Sequence, residues 1–552
     1  MALVAAAGGY LVQLLVGGGA DRVRNAGMVV AVPTLPTNLN PATPEGNTSV
    51  TDMVAAQIWP QPFMLGDKKD LVADRTFLSS AEVVSLKPQK VLYQIQPRAV
   101  WSDGVPITAS DFIEAWREQR AEIRTPAEDP TLAQGYADIA SIKSSQHGRW
   151  VTVVFKKPFA DWEALFNNLL PAHVVRPRGW AKAFTLGGRT PMVSGGPFMV
   201  ASYQAGRRLV LRRNPRYWGP AAGLARITFE QLSPAKYVDA LRSGAVQMVV
   251  PPADPALVQA IESVPGIAIS RWTSLAVEHL ALNQTTPWMA DPVIRRAVTM
   301  AIDRVQLETA TVGRYDPSLP LEESHVFVPG ESQYQDDGAA YESSSGSGDP
   351  PAVLGEVEGL FASVGFHLGP SGYLQQGGEN LTLRLLAEGT PLQRQLASLV
   401  AGQLRAAGVQ VAMEVMNGPA FRRALAGGQF DLALVVAQTS VFPSYVRAMY
   451  GTAGVNGGGS QNYTGYSSLQ VDSLFNQAAG QLDPARAATT YNEIDQLLWS
   501  DLDTLPMFQL PGFVAYSPRY AGVDGSPGPV GPFWDASTWV ELPASQVAHR
   551  SE

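Results

Sequence analysis

The chain has 552 residues, more than one compact core usually holds, so we expect two or three structural units. Its formal net charge is -8 and its Lys and Arg form no long run, which excludes the electrostatic footprint of a nucleic-acid-binding protein. It contains no cysteine, which excludes disulfides, thiolate metal sites and a catalytic thiol. For the same reason we expect no lipid anchor.

The N-terminal segment is apolar. Residues 1–20, MALVAAAGGYLVQLLVGGGA, carry no charge and end in small residues just before Asp21. This pattern is typical of the apolar part and cleavage region of a secretion signal, although no basic stretch precedes it. An N-terminal strand or a weak membrane span also fits the composition. We predict a secretion signal or an N-terminal tail at residues 1–27, in an extracytoplasmic protein associated with the cell envelope.

Strand and helix patterns alternate most clearly in the C-terminal half of the chain. An apolar strand pattern at 381–386 precedes a helix pattern that begins after Thr390 and ends at Gly408. Two further strand patterns follow, at 409–415 and 430–436. This β-α-β-α-β order requires a parallel sheet, so the sequence predicts an α/β fold.

A similar unit occurs earlier, with strand patterns at 227–232 and 247–250 around a short helix. A separate β-rich region is indicated by shorter strand patterns among turns, at residues 91–96, 151–155 and 209–212. Residues 331–351 have almost no apolar side chains and many Ser, Gly and acidic residues, so we predict a mobile surface loop there.

Three blocks, in order, resemble one known family. They are WSDGVPITASDF at 101–112, SGGPFMVASYQAGRRLVLRRNPRYWG at 194–219 and NQTTPWMADPVIRRAVTMAIDR at 283–304. Together they are similar to the family 5 extracytoplasmic solute-binding proteins of ABC importers, of the oligopeptide- and dipeptide-binding type. The first block also has a physical interpretation of its own, because Thr108 and Asp111 form a capping-box pattern at a helix start.

The resemblance implies an α/β, two-lobed periplasmic-binding-protein-like fold of type II, cluster C, with an additional β-rich subdomain. On this basis lobe I is expected at residues 28–70, 190–290 and 511–552, and lobe II at 291–510. The inserted β-rich subdomain is expected at 71–189.

The resemblance also implies what the protein does. A peptide-like or other polar ligand is expected between the lobes and is delivered to the membrane permease of an ABC importer, without catalysis or a cofactor. The chain is expected to cross between the lobes near Trp288 and to return after Met507. We expect a monomer that binds no nucleic acid and no metal.

The chain departs from the family at a loop that often carries acidic residues in peptide binders. Here that loop reads Gln438, Thr439, Ser440, Val441 and Phe442, so a salt bridge to a peptide amino group is not expected from it. The loop is still suited to hydrogen-bond a polar ligand and to stack it on an aromatic ring. The predicted ligand-binding residues are Thr34, Asn38, Asn283, Gln438, Thr439, Ser440, Phe442, Asn462, Tyr463 and Phe508.

Two other functions stay open. The departures are also compatible with an actinobacterial, LpqW-like branch of the family that acts in mannolipid assembly of the cell envelope. A glycoside hydrolase is the best enzymatic alternative, because 12 Trp and many carboxylates would suit a sugar cleft with two acids. The six His are far apart in sequence and no GxSxG, HExxH or Walker motif is present, so no catalytic residue is predicted.

Overall fold

The computed structural model describes residues 26–66, 69–120, 135–188, 192–314, 316–338, 350–455 and 461–547. The predicted secretion signal lies outside the described residues except for positions 26 and 27. Residues 339–349 of the predicted mobile loop also lie outside them. In the preceding stretch, 331–338, Asp337 accepts a hydrogen bond from Gln496 of a neighbouring helix.

The described part of the chain contains strands and helices throughout. The strands are β1 (Gly27–Val32), β2 (Phe63–Leu65), β3 (Leu71–Ala73), β4 (Leu78–Leu86), β5 (Gln89–Ile95), β6 (Ile139–Ser145), β7 (Trp150–Phe155), β8 (Phe198–Gln204), β9 (Arg208–Arg213), β10 (Arg226–Gln231), β11 (Met248–Val249), β12 (Ala268–Leu282), β13 (His367–Leu368), β14 (Leu374–Gln376), β15 (Glu379–Asn380), β16 (Thr382–Glu388), β17 (Gln410–Met416), β18 (Leu432–Gln438), β19 (Thr504–Tyr516), β20 (Tyr520–Ala521) and β21 (Val540–Glu541). The α-helices are α1 (Ser49–Ile58), α2 (Ala109–Gln119), α3 (Ala172–Arg178), α4 (Tyr237–Arg242), α5 (Pro255–Glu262), α6 (Pro292–Met300), α7 (Arg304–Ala310), α8 (Pro350–Ser363), α9 (Pro391–Ala406), α10 (Gly418–Ala426), α11 (Arg447–Tyr450), α12 (Leu469–Ala479), α13 (Pro484–Asp501) and α14 (Ala544–Val547). Short 3-10 helices span Tyr136–Asp138, Gln146–Gly148, Trp162–Ala164, Pro234–Lys236, Val312–Arg314, Pro443–Val446 and Gly531–Thr538.

One large mixed sheet runs through the molecule. Its ten strands have the order β17-β16-β18-β12-β19-β11-β1-β10-β9-β8. β16 runs parallel to both β17 and β18, which confirms the predicted parallel unit. β1 likewise lies parallel between β10 and β11. The sheet therefore has a parallel unit in each half, and the antiparallel strands β12 and β19 join the halves.

Helix α9 illustrates how the sequence positions these strands. Thr390 caps the helix by accepting a hydrogen bond from the Gln393 N–H, and Pro391 occupies the first helical position. Leu396 is fully buried in the core that α9 forms with β16. Gly408 has a φ of +80°, the left-handed conformation that ends a helix without a steric penalty for glycine. The chain then turns directly into β17.

Strands β12 and β19 pass from one core of the molecule to the other. At one end Met507 is buried in the core that includes α9, and at the other Phe513 is buried against β1 and α4. Between these ends the register slips, because residues 274–276 of β12 stand opposite Leu510 alone in β19. A bulge of this kind bends and twists the strands locally. The two halves of the molecule therefore meet at an irregular point in a continuous two-stranded ribbon.

Two of the three strand patterns assigned to the separate β-rich region, 91–96 and 151–155, lie in a four-stranded sheet of their own with the order β4-β5-β7-β6. The third, 209–212, was assigned wrongly, because it forms β9 of the ten-stranded sheet by pairing with β8 and β10.

Helix α2 packs on the four-stranded sheet and begins with the predicted capping box of Thr108 and Asp111, which the structure confirms. Asp111 also accepts a hydrogen bond from the Ala172 N–H, which joins α2 to α3. Burial raises the pKa of Asp111 to about 6, although these hydrogen bonds oppose the shift. The buried side chains of this region form one core with those of β1 and α1.

Candidate functional site

A large cleft lies between the half of the molecule that contains β1 and the half that contains β16. Its volume is about 1440 Å³. One wall includes Asp52 of α1 and Phe63 and Leu65 around β2, and the opposite wall includes residues 434–442. Typical sites for drug-sized molecules have volumes of roughly 300–1,000 Å³. The cleft therefore has room for a larger ligand.

Strand β18 presents an open edge to this cleft. In antiparallel strands the directly opposed pairs alternate between hydrogen-bonded and non-hydrogen-bonded. Thr439 donates to Leu275 and Asn283 donates to Asp431, which fixes the alternation along β12 and β18. By this alternation the N–H and C=O groups of Val436 and Gln438 point away from β12.

The strand on the other side of β18 does not satisfy these groups. β16 pairs with β18 only at Leu432 and Ala433, near the start of the strand. Val436 is 44% exposed and, like Gln438, lines the cleft. Within the described residues, no main-chain group pairs with the outward-facing N–H and C=O groups of Val436 and Gln438. The cleft therefore contains a stretch of strand to which another strand could be added.

The loop that follows β18 is held in place by the bulge in β12. Thr439 is buried, and both its N–H and its hydroxyl donate to the Leu275 carbonyl, at 2.9 Å and 2.6 Å. Ser440 accepts a hydrogen bond from the Phe442 N–H and so forms a turn. Because the loop is anchored at the point where the halves meet, its side chains keep a fixed position relative to the floor of the cleft.

Contacts also join the two halves at the mouth of the cleft. Asp161 accepts a hydrogen bond from the Ser444 N–H at 2.9 Å. Close by, the Ala160 N–H donates to the Ala479 carbonyl at 2.9 Å. At another point Lys69 donates to the Pro329 carbonyl. The two halves are therefore in direct contact beside the cleft.

Half of the predicted binding residues line this cleft. They come from two segments that the fold brings together, the end of β18 with the loop that follows it and the loop before α12. The partly buried ring of Tyr463 packs against the small core around Phe421. The five are Gln438, Thr439, Ser440, Phe442 and Tyr463.

The other five predicted residues lie away from the cleft. Asn38, Asn283 and Asn462 donate their side-chain amides to backbone carbonyls, and so hold loops together. Phe508 is fully buried in the core beneath β19. Thr34 lines a separate cavity of about 330 Å³ that also reaches Gln438.

The cleft also contains charged and titratable residues that sequence patterns did not single out. Burial alone raises the pKa of Asp52, in the first turn of α1, to about 7. His279 has its pKa lowered to about 3, first by burial and then by nearby His325. The His279 ring is therefore neutral, and its Nδ1 lies 3.1 Å from the Val277 carbonyl oxygen. An acid in the first turn of a helix is common, so nothing in the sequence marked Asp52.

The buried side of the cleft wall carries a further polar cluster. Asp503 lines the cleft and is fully buried, and burial raises its pKa to about 6 although His325 opposes the shift. His325 Nδ1 lies 2.8 Å from a carboxylate oxygen of Asp495. Among the described residues, no group of three or more His, Asp or Glu is arranged to hold a metal ion.

Comparison with known proteins identifies the family. Residues 78–459 match the family model "Bacterial extracellular solute-binding proteins, family 5 Middle". The chain belongs to that family. This solute-binding protein has the predicted α/β, periplasmic-binding-protein-like fold, which the solved structures confirm.

Individual relatives agree with this assignment. The protein is 29% identical over 497 residues to the oligopeptide-binding protein OppA of Mycobacterium tuberculosis, which covers 87% of this chain and 79% of the relative. It is 29% identical over 363 residues to the probable monoacyl phosphatidylinositol tetramannoside-binding protein LpqW of the same species, covering 61% of this chain and 55% of LpqW. A solved structure, the periplasmic EDTA-binding protein EppA, superposes with a TM-score of 0.85 at 28% identity and covers 94% of this chain and 97% of EppA.

These relatives are binding proteins, so the family gives no support to the glycoside hydrolase hypothesis. The family is extracellular, in agreement with the predicted extracytoplasmic location. Within the part of the chain that the structure describes, no helix has the length and apolar character needed to span a membrane.

Proposed function

We propose that this extracytoplasmic solute-binding protein captures an extended, peptide-like ligand in the cleft and delivers it unchanged to the membrane permease of an ABC importer. The open edge of β18 carries the proposal. Val436 and Gln438 offer main-chain donors and acceptors in the direction in which a further strand would be added. Many proteins bind extended peptides by adding them to a sheet edge, so that main-chain hydrogen bonds supply affinity.

The walls around this edge suit such a ligand. Phe442 and Tyr463 line the cleft near β18 and Phe63 lines the opposite wall, so that aromatic rings on both sides offer apolar surface to peptide side chains. A micromolar affinity corresponds to about -8 kcal/mol, which a few main-chain hydrogen bonds and apolar contacts could supply. The similarity to OppA, named as an oligopeptide-binding protein, supports the same class of ligand.

The similarity to LpqW supports a second candidate, a mannosylated lipid headgroup. Sugars bind to aromatic and polar surfaces together, and the cleft offers both Tyr445 and Gln461 beside its aromatic rings. In this alternative the protein serves assembly of the cell envelope and not import. The two candidates differ in the ligand that should be recovered from the native protein.

The first experiment is mass spectrometry of the ligand released from gently purified protein. A mixture of peptides of varied sequence supports the proposal, whereas a mannosylated lipid supports the second candidate. Adding a bound ligand at a hundredfold excess over its dissociation constant should stabilise the protein by about 2.7 kcal/mol. A thermal shift with a random peptide library provides the independent measurement.

The second experiment tests the edge of β18 itself. Val436→Pro removes one N–H from the open edge, where proline is tolerated because no partner strand is lost. Val436→Ala removes the side chain and keeps the N–H, so it is the matched control. We expect peptide affinity to fall about tenfold in Val436→Pro relative to Val436→Ala, the equivalent of one hydrogen bond. Equal affinity in two folded variants would exclude strand addition at this edge.

A further inference from the structure

The carboxylates that line the cleft differ in their surroundings. Asp138 lies near Lys157 and Lys156, and both lower its pKa against the effect of burial. Glu388 lies near Arg422. A Cβ placed on Gly418 would lie 2.6 Å from the Glu388 carboxylate and 3.4 Å from the Arg422 guanidinium. Both acids therefore have a cation of the chain nearby.

Asp503 is fully buried and neither of its carboxylate oxygens has a hydrogen-bond partner among the described residues, but the nearby His325 lowers its pKa against the effect of burial. Asp52 is different. Its carboxylate lines the cleft, and among the described residues neither a hydrogen bond nor an ion pair reaches it, so burial alone raises its pKa to about 7. Asp52 is only partly buried, but partial removal from water without a cation or a donor still disfavours the charged form of a carboxylate. Asp52 nevertheless lies in the wall of the proposed ligand cleft.

We infer that Asp52 binds a protonated amine of the ligand. This inference rests on the proposed function and names the chemical group that the cleft selects. An ammonium group placed against Asp52 would supply both the missing charge and the missing hydrogen-bond donors. The amine is the amino terminus of a peptide or the side chain of a lysine in it, which share this chemistry.

The opposite wall is consistent with this assignment. The loop 438–442 carries no charge and so offers no competing site for an amine. Main-chain pairing along β18 does not by itself fix which residue of a peptide lies at which position, because every peptide unit offers the same groups. An ammonium group bound by Asp52, on the other wall, would set this register.

The test uses the full-length protein and three alanine-based pentapeptides. The first has a free amino terminus, the second is N-acetylated, and the third is N-acetylated with a central lysine. Their affinities are measured by calorimetry at pH 8 for the wild type, for Asp52→Asn and for Glu45→Gln. Glu45 is an exposed acid seven positions earlier in the chain that does not line the cleft, so its variant controls for the change in net charge.

We expect the wild type and Glu45→Gln to prefer an amine-bearing peptide over the blocked peptide by about ten- to hundredfold, the usual strength of a charged hydrogen bond. The free-terminus peptide and the lysine peptide distinguish the two sources of the amine. In Asp52→Asn this preference should disappear while the blocked peptide binds as before. The melting temperature of Asp52→Asn should be unchanged or higher, because an uncompensated carboxylate has been removed.

Other results would overturn the inference in distinguishable ways. If all three peptides bind equally to the wild type and to Asp52→Asn, the amine site is wrong and the proposed peptide carrier stands. If none of the peptides binds to the wild type, the peptide ligand and the amine site are both wrong.

Discussion

Asp161 and Ser444 join the two halves of the molecule at the mouth of the cleft, with the carboxylate accepting a hydrogen bond from the Ser444 N–H at 2.9 Å. The two residues are far apart in sequence and join the two halves, which we expect to separate when a ligand enters or leaves. Burial raises the pKa of Asp161, and its hydrogen bonds to Ser444 oppose the shift. We expect this contact to stabilise a closed form of the protein and to be lost when the cleft opens.

Asp161→Ala should shift the protein toward an open form. A hydrogen bond to a charged group contributes about 1.5–3 kcal/mol, so the ratio of closed to open molecules should fall by roughly tenfold or more. Small-angle scattering of the ligand-free protein should give a larger radius of gyration than the wild type. Asp161→Asn keeps a side-chain carbonyl acceptor and is the matched control. An unchanged radius in Asp161→Ala would show that this contact does not determine closure.

Glu278→Gln should stabilise the protein in a pH-dependent way. Glu278 lies in β12 with its side chain fully buried, and burial raises the pKa to about 7, although a hydrogen bond from Gln393 opposes the shift. An unfolded Glu titrates near about 4.3. Between these values the folded state binds a proton that the unfolded state has lost, so stability falls as the pH rises through this window.

The expected result for Glu278→Gln is a melting temperature roughly 2–4 °C above that of the wild type at pH 8. At pH 5 the side chain is neutral in the folded wild type and ionised only in the unfolded state, so most of the destabilisation is absent and the gain should be clearly smaller. Thermal unfolding followed by circular dichroism at the two pH values is the measurement. A gain of equal size at both pH values would show that the charge of Glu278 is not the cause.

Gly512→Ala should destabilise the protein. A Cβ at Gly512 would lie 2.0 Å from Cε2 of Trp272, and one at Gly525 would lie 1.9 Å from Cε3 of the same ring, so the indole is enclosed between two glycines. Overpacking of this kind typically costs about 1–3 kcal/mol. Gly402→Ala, in α9 with nothing within 4 Å of the new Cβ, is the control and should be neutral or stabilising. Denaturant unfolding of both variants measures the difference.

Asn283→Ala should reduce stability without changing affinity for a ligand. The buried amide of Asn283 donates to the Gly428 and Phe430 carbonyls at 3.1 Å and 2.9 Å, and the residue does not line the cleft. Loss of these bonds should lower the free energy of unfolding by about 1–3 kcal/mol. Peptide affinity per folded molecule, measured by calorimetry, should stay at the wild-type value. A loss of affinity without a loss of stability would show that Asn283 contributes to ligand binding.

Much of the fold could be predicted because local patterns and tertiary packing agree. The alternation between residues 381 and 436 specifies the parallel strands β16, β17 and β18, and Thr390 and Gly408 mark the helix ends where the structure has them. Sequence patterns gave no indication of the bulge at 274–276, because it depends on pairing with a strand more than 200 positions away. The division into lobes by residue number stays a prediction.

The candidate site could be predicted only in part, for a physical reason. Polar residues after strands are found both in binding loops and in loops that need internal hydrogen bonds, and the sequence does not distinguish the two uses. Asn283 and Asn462 serve the second use, whereas Gln438 and Ser440 face the cleft. Asp52 is recognised only from its surroundings, since its distinguishing property is the lack of a compensating neighbour among the described residues.

The open edge of β18 has a consequence for the range of ligands. Main-chain groups are the same in every peptide, whatever its sequence, so a carrier that holds its cargo at Val436 and Gln438 gains nearly the same affinity from each one. Such a carrier is a generalist. A single gene product would then let a cell scavenge a wide variety of degradation products from its surroundings.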